Sequence, residues 1–187
     1  MQPRPGLHAL FNFGPIEPIA KHIALVACLG MKLRVMGRKR VPAAGPLVVV
    51  SGHPGPADLT TLDVALGRPL DIVLDDALLS IPVFGALCRF RGAHPLRQAA
   101  LLGDEANAGS LAGAAAAARA GRAVVIFPEG AGGFGSGAAR IAADAQAPVL
   151  PVAIYRVGGD GAPLRRLVVI GSPIPAPERD ARSRRAL

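Results

Sequence analysis

Short apolar runs alternate along the chain with segments whose apolar residues recur at helical spacing. Runs of four to eight apolar residues bounded by glycine, proline or polar residues predict buried strands. Such runs occupy residues 47–51, 70–74, 123–127, 149–155 and 167–170. Residues 31–35 alternate apolar and basic positions, as a half-buried strand does, and residues 92–96 are predicted to be short and extended.

Helical spacing or helix-forming composition marks the segments between these strands. Helices are predicted at residues 18–30, 58–66, 75–79, 82–91 and 99–120, and after a glycine-rich loop at 130–137 up to about residue 145. Strands alternating with helices predict a single α/β domain whose sheet is mixed, mostly parallel and flanked by helices. We assign this domain to residues 31–175, with a tail and an apolar helix at 1–30 and a basic tail at 176–187.

The loop after the strand at 47–51 carries the first candidate chemistry. His53 and Asp58 are separated by Pro54, Gly55 and Pro56, which prevent a continuous helix. On one helix, side chains five residues apart would point about 140° away from each other. Across a loop, Asp58 can instead turn back to His53, fix its tautomer and leave one ring nitrogen free to accept a proton. The alternative is that Asp58 only caps the following helix and His53 is solvated.

A second candidate residue, Glu129, comes directly after the strand at 123–127, where open α/β sheets place their ligand sites. The alternative is a solvated loop glutamate. Residues 130–135 also fit the dinucleotide pattern G-x-G-x-x-G, but Pro128 and Glu129 separate this pattern from the strand. Leu150 stands about where a ribose-binding acid is expected, which argues against dinucleotide binding.

Four segments in order resemble the glycerolipid acyltransferase family, which includes lysophosphatidic acid and glycerol-3-phosphate acyltransferases. The first is the His-x-x-x-x-Asp segment from His53 to Asp58. The other three are Pro82-Val83-Phe84-Gly85 with the glycine-led segment that ends at Arg97, then Phe127-Pro128-Glu129-Gly130, and Ala147-Pro148-Val149-Leu150-Pro151-Val152. The resemblance covers roughly residues 33–173 and adds the expectation of this family's α/β fold.

The resemblance implies an O-acyltransferase in which His53 is the general base for an acceptor hydroxyl and Asp58 orients it. The implied acyl donor is acyl-CoA or acyl carrier protein, used as a co-substrate, and the implied acceptor is a glycerolipid or lysophospholipid. Arg97 and the residues around Glu129 are implied to hold the acceptor. No metal and no other cofactor is expected.

The residues that the resemblance places around the acceptor differ in part from the family pattern. These residues are Arg97, Pro128, Glu129, Gly130 and Gly55. Gly52, which precedes His53, stands where the family commonly has asparagine, and Gly55 stands where it often has serine. After Gly130, Ala131 and Gly132 stand where the family usually has threonine or serine and then arginine. The catalytic pair is therefore intact, while the phosphate-binding residues are partly replaced.

The composition of the chain indicates which class of partner it binds. The net charge is +8, and 18 of the 21 basic residues are arginine, a balance that suits a polyanionic partner such as an anionic membrane surface. The five cations at positions 32, 34, 38, 39 and 40 follow the apolar helix and predict docking to such a surface; a core-facing helix beside a solvated turn is the alternative. With no tryptophan and one tyrosine, stacking on nucleic acid is not expected.

The sequence also gives expectations about the protein's location and about alternative activities. The apolar run at 23–31 is too short to span a bilayer, and the two cysteines form no metal-binding or disulfide pattern. We expect a cytoplasmic protein bound peripherally to the inner face of a membrane. A thioesterase with the same dyad and water as the acceptor, and a non-catalytic lipid- or nucleotide-binding module, are the alternative functions.

Overall fold

The computed structural model describes residues 32–52, 56–97, 107–130, 133–134, 136–157 and 165–176. The predicted helix at 18–30, the first residues of the helix predicted at 99–120, and the C-terminal tail from residue 177 lie outside this part of the chain. Among the described residues, no helix combines the length and apolar character needed to cross a bilayer.

Nine strands and five α-helices make up the described fold. The strands are β1 (Lys32–Met36), β2 (Leu47–Ser51), β3 (Leu70–Asp75), β4 (Ala93–Leu96), β5 (Ala123–Ile126), β6 (Glu129–Gly130), β7 (Gly133–Phe134), β8 (Val149–Val157) and β9 (Arg165–Ile170). The helices are α1 (Pro56–Leu66), α2 (Asp76–Leu79), α3 (Pro82–Arg91), α4 (Ala108–Arg119) and α5 (Gly137–Ala145), and a 3-10 turn spans Arg38–Arg40.

Seven strands form one mixed sheet in the order β1-β9-β8-β2-β5-β3-β4, and β6 pairs with β7 in a separate ribbon. Strands β8, β2, β5, β3 and β4 are mutually parallel. Strand β9 runs antiparallel to β8, and β1 runs parallel to β9. The amino ends of β1 and β9 therefore lie at the sheet edge where the parallel strands have their carboxyl ends, which we call the carboxyl edge.

A hydrophobic core covers each face of the sheet. On one face, α1 and α3 pack on residues from all seven strands of this sheet, β1 and β9 among them. On the other face, α4 and α5 pack on β2, β3 and β5, and neither β1 nor β9 contributes a fully buried residue. Helices packed on both faces of the sheet confirm the predicted mixed, mostly parallel α/β sheet flanked by helices.

Most element boundaries match the predictions to within about two residues, but the helix predicted at 99–120 begins only at Ala108, with Asn107 as its N-cap. Helix α1 begins at Pro56, a residue favoured in the first helical turn because it needs no N–H partner there. After β9 the chain pairs once more with β8, because Ile174 and Val149 exchange two backbone hydrogen bonds of 2.8 Å.

Candidate functional site

The carboxyl edge gathers the ends of the strands that precede the predicted site residues. Val50 of β2 is in register with Ile126 of β5, so the segments leading to His53 and to Glu129 leave neighbouring parallel strands at the same level. His53 and Gly55 themselves lie outside the described residues. Their distances to other groups therefore remain predictions, and the site is built below from the residues around them.

Asp58 lies in the first turn of α1 and is buried, with 3% of its surface exposed. Because the helix begins at Pro56, Asp58 is the third helical residue, and the alternative in which it is the helix N-cap is wrong. Its carboxylate accepts 2.5 Å hydrogen bonds from two arginines: Arg166 Nη1 donates to Oδ1 and Arg156 Nη2 donates to Oδ2. Arg166 Nη1 also donates to the Thr61 hydroxyl, one turn further along α1, at 2.8 Å.

These two arginines are functional candidates that the sequence analysis missed. They come from antiparallel neighbours, since Arg156 of β8 is in register with Arg166 of β9. Arg166 is buried and Arg156 is half exposed. A signal was available: Arg166 stands two residues before Val168 and four before Ile170, so it falls on the buried side of its strand, where an arginine needs an acidic partner.

Arg97 follows β4 and lies at the rim of a cavity of about 800 Å³ on the carboxyl edge. The cavity is bounded by α2, the end of β4 and the first turn of α4, and its lining residues are Asp76, Leu79, Ser80, Arg89, Pro95, Arg97, Gly109 and Ser110. Asn107 fixes the Arg97 backbone by accepting from its N–H at 2.8 Å and donating to its carbonyl at 2.9 Å. The exposed Arg97 side chain is thus carried on a fixed backbone.

Two further arginines close in sequence, Arg89 and Arg91, make different contacts. Arg89 lines the same cavity and donates to the Leu79 carbonyl at 3.0 Å, which holds its guanidinium at the rim. Arg91 instead forms an ion pair with Asp63 of α1. Of these two arginines, only Arg89 is placed to act with Arg97.

The third family segment follows β5, which is the neighbour of β2 in the sheet. Pro128 follows β5 and is half buried, and Glu129–Gly130 forms the first strand of the small ribbon with Gly133–Phe134. The glycine-rich stretch therefore contains a short β-ribbon followed by α5. Gly130 and Gly133 lie in this ribbon and α5 begins only at Gly137, so neither of these glycines opens a helix, as a dinucleotide-binding turn requires.

A second histidine–aspartate pair lies nearer the opposite edge of the sheet. His94 Nε2 is 3.3 Å from Asp71 Oδ2, and Arg122 donates to the other carboxylate oxygen. Gly92 has φ of 93°, and a Cβ there would lie 2.7 Å from Asp71 Oδ2, so the site requires glycine. This closely packed cluster joins β3, β4 and the turn before β5, and we assign it a structural role.

Neither a thiol nucleophile nor a metal cluster is found among the described residues. Cys88 is completely buried, and burial raises the pKa of its thiol to about 11, so it is not a thiolate at neutral pH. No group of three or more potential metal-ligating side chains occurs in the described ranges. What the described site offers is a buried carboxylate held by two arginines and a cavity with two further arginines at its rim.

A family model described as "Acyltransferase" matches residues 32–155, about two thirds of the chain. The crystal structure of the 1-acyl-sn-glycerophosphate (LPA) acyltransferase PlsC from Thermotoga maritima has a TM-score of 0.57 at 20% sequence identity, covering 87% of this chain and 68% of that one. No curated protein sequence matches the chain. The likeness to PlsC shows a common fold, and the match of the family model over most of the domain shows that the chain belongs to the acyltransferase family.

Proposed function

We propose that the protein is an O-acyltransferase that moves a fatty acyl group from a thioester to a hydroxyl of a glycerolipid or lysophospholipid. The observation that carries this proposal is the buried Asp58 carboxylate, anchored through both oxygens in the first turn of α1. That aspartate closes the His-x-x-x-x-Asp segment of a chain in the acyltransferase family. PlsC, whose fold this chain shares, is a 1-acyl-sn-glycerophosphate acyltransferase, which favours a glycerolipid acceptor.

In the proposed reaction, His53 removes the proton from the acceptor hydroxyl while its oxygen attacks the thioester carbonyl. The C–O bond forms, the C–S bond breaks, and the proton passes from the imidazole to the departing thiolate. Asp58 orients the imidazole and stabilises its charged form, as the aspartate does in other base dyads. A base positioned in this way contributes about 10²- to 10⁴-fold to the rate.

The cavity beside α2 is the proposed site for the acceptor's phosphate. Arg97 and Arg89 line it, and a phosphate accepts charge-assisted hydrogen bonds from guanidinium groups. Strand β4 is three positions from β2 in the sheet, which corresponds to about 14 Å at the usual spacing between strands. The extended arginine side chains and the glycerophosphate headgroup together bridge this distance between the base and the phosphate site. Arg89 thereby replaces the arginine that the third family segment lacks.

We further propose that the acceptor is reached at an anionic membrane surface. Lys32 begins β1 at the carboxyl edge, and Arg34 lies two residues further on the same exposed face of the strand. Arg38 and Arg40 lie beyond the other end of β1, where they donate to the carbonyls of Val64 and Ile170. The membrane contact is therefore assigned to Lys32 and Arg34.

The test is product analysis with labelled acyl-CoA and acyl carrier protein, offered with a panel of lipid acceptors. We expect an acylated lipid from the wild type, a loss of about 10²-fold or more in His53→Ala, and a smaller but severe loss in Asp58→Asn. Asp144→Asn, on helix α5, is the control for loss of a carboxylate. Near wild-type ester formation by folded His53→Ala would refute the mechanism, and free fatty acid as the sole product would favour the thioesterase.

A further inference from the structure

The Asp58 carboxylate is held more firmly than an aspartate at the start of a helix needs to be. Its two oxygens each accept a hydrogen bond of 2.5 Å from a different arginine. The partners are 98 and 108 residues away in the chain, so both contacts are products of the tertiary fold. With both oxygens anchored, the plane and direction of the carboxylate are fixed.

The two arginines approach from different environments. Arg166 is 8% exposed and uses one nitrogen for both Asp58 and Thr61, which ties β9 to the first two turns of α1. The Arg156 side chain is 53% exposed, and its Nη2 reaches Asp58 from the open side of the carboxyl edge. Removal of Arg156 therefore exposes Asp58 to water, whereas removal of Arg166 would leave a buried charge without one of its partners.

The reaction assigned to this site requires a fixed carboxylate. An aspartate that orients a catalytic histidine acts through geometry, and a displacement of about 1 Å in such a group can cost about 10²-fold in rate. An ion pair that served only to join α1 to the sheet would not need a second arginine on the same carboxylate. The cross-strand register of Arg156 with Arg166 places both guanidinium groups on the same side of the sheet as Asp58.

We infer that Arg156 and Arg166 are positioning residues that hold Asp58 in the orientation needed to align His53. This inference rests on the proposed function. It assigns a role in catalysis to the antiparallel β8–β9 pair, whose first strand begins inside the last of the four family segments. It also separates these two arginines from Arg89 and Arg97, which face the cavity on the other side of β5.

The first arm of the test compares Arg156→Gln with Arg165→Gln. Arg165 is adjacent to Arg166 on β9, its exposed side chain falls on the opposite face, and its replacement removes the same charge. We expect Arg156→Gln to lower kcat by about 10- to 10²-fold with little change in KM, and Arg165→Gln to change neither. Arg156→Lys is expected to recover most of the loss, because one ammonium can replace the single Nη2 contact. A change confined to KM, or an equal loss in Arg165→Gln, would overturn the inference.

The second arm is a double-mutant cycle with Asp58→Asn, which separates positioning from general destabilisation. Residual turnover is measured at high enzyme concentration, with melting temperatures for every variant. If Arg156 acts through Asp58, Arg156→Gln costs no further activity once Asp58 is asparagine. An equal loss of activity from Arg156→Gln in both backgrounds would contradict the positioning role without contradicting the acyltransferase activity. A wild type without turnover, or one indifferent to Asp58→Asn, would overturn the proposed function and this inference together.

Discussion

Three arginines close together in the sequence show that position in the fold determines what each guanidinium can do. Arg89 and Arg97 line the cavity at the carboxyl edge, whereas Arg91 forms an ion pair with Asp63. Both Arg89 and Arg91 lie close to Arg97 in the sequence, and residue type and spacing alone make each a possible substitute for the missing family arginine. The direction of α3 decides between them, because positions two apart on a helix face different sides.

The acceptor's phosphate gives a prediction at this scale. If the acceptor is phosphorylated, Arg97→Ala and Arg89→Ala should each raise its KM by about 10- to 10²-fold, because a charge-assisted hydrogen bond contributes about 1.5–3 kcal/mol. Arg91→Ala should lower stability and leave KM unchanged. The comparison is kcat/KM on matched phosphorylated and neutral acceptors. A small, equal loss on both acceptors would remove Arg97 as the phosphate anchor and favour a neutral lipid alcohol.

At the scale of elements, buried ion pairs fasten the helices to one another and to the sheet. The Asp63–Arg91 pair joins α1 to α3 beside the apolar core. Burial raises the pKa of the Asp63 carboxyl from 3.8 to about 6, although Arg91 acts in the opposite direction. The folded protein therefore binds a proton at Asp63 over a pH range in which the unfolded chain has released it.

The sign of the resulting pH dependence follows from linkage. Because the folded-state pKa is the higher one, the contribution of Asp63 to the free energy of unfolding falls as pH rises from about 4 to about 6. Urea unfolding of the wild type and Asp63→Asn at pH 4 and pH 7 tests this. We expect the stability of the wild type relative to the variant to be greater at pH 4. A difference that is constant with pH, or greater at pH 7, would contradict this assignment.

For the whole molecule, the reversed direction of β1 and β9 separates charges that are continuous in the sequence. Lys32 lies at the carboxyl edge and Lys39 beyond the opposite end of β1, about 16 Å away along a five-residue strand. The exposed basic segment from Lys32 to Arg40 therefore extends from the carboxyl edge to the opposite edge of the sheet. If a membrane docks at the edge that bears the active site, only the first part of this segment can meet it.

Vesicle binding tests this orientation. Binding should require anionic lipid and weaken with salt, since each cation near such a surface contributes about 1 kcal/mol. Replacing Lys32 and Arg34 together by alanine should weaken binding by about 10-fold or more, whereas Lys39→Ala at the far edge should not. Equal binding to neutral and anionic vesicles would contradict membrane docking through charge. A larger effect from Lys39→Ala would reverse the proposed orientation.

The sequence by itself determined the class of fold and the order of its elements. Hydrophobic runs bounded by glycine and proline reflect local burial and backbone restrictions, so β2, β3 and β5 are found close to where the pattern predicts them. The pairing of His53 with Asp58 was also a local prediction, because a short loop connects them. It remains a prediction, since His53 lies outside the described residues.

Tertiary structure alone decided which distant groups meet. Strand order and direction are set by how apolar faces pack, so no local pattern could place Arg156 and Arg166 on Asp58 from about a hundred positions away. The same holds for the cavity that brings Arg89 and Arg97 together, and for the separation of Lys32 from Lys39. Local sequence fixes φ, ψ and burial segment by segment, whereas a site built across strands depends on long-range packing of the whole sheet.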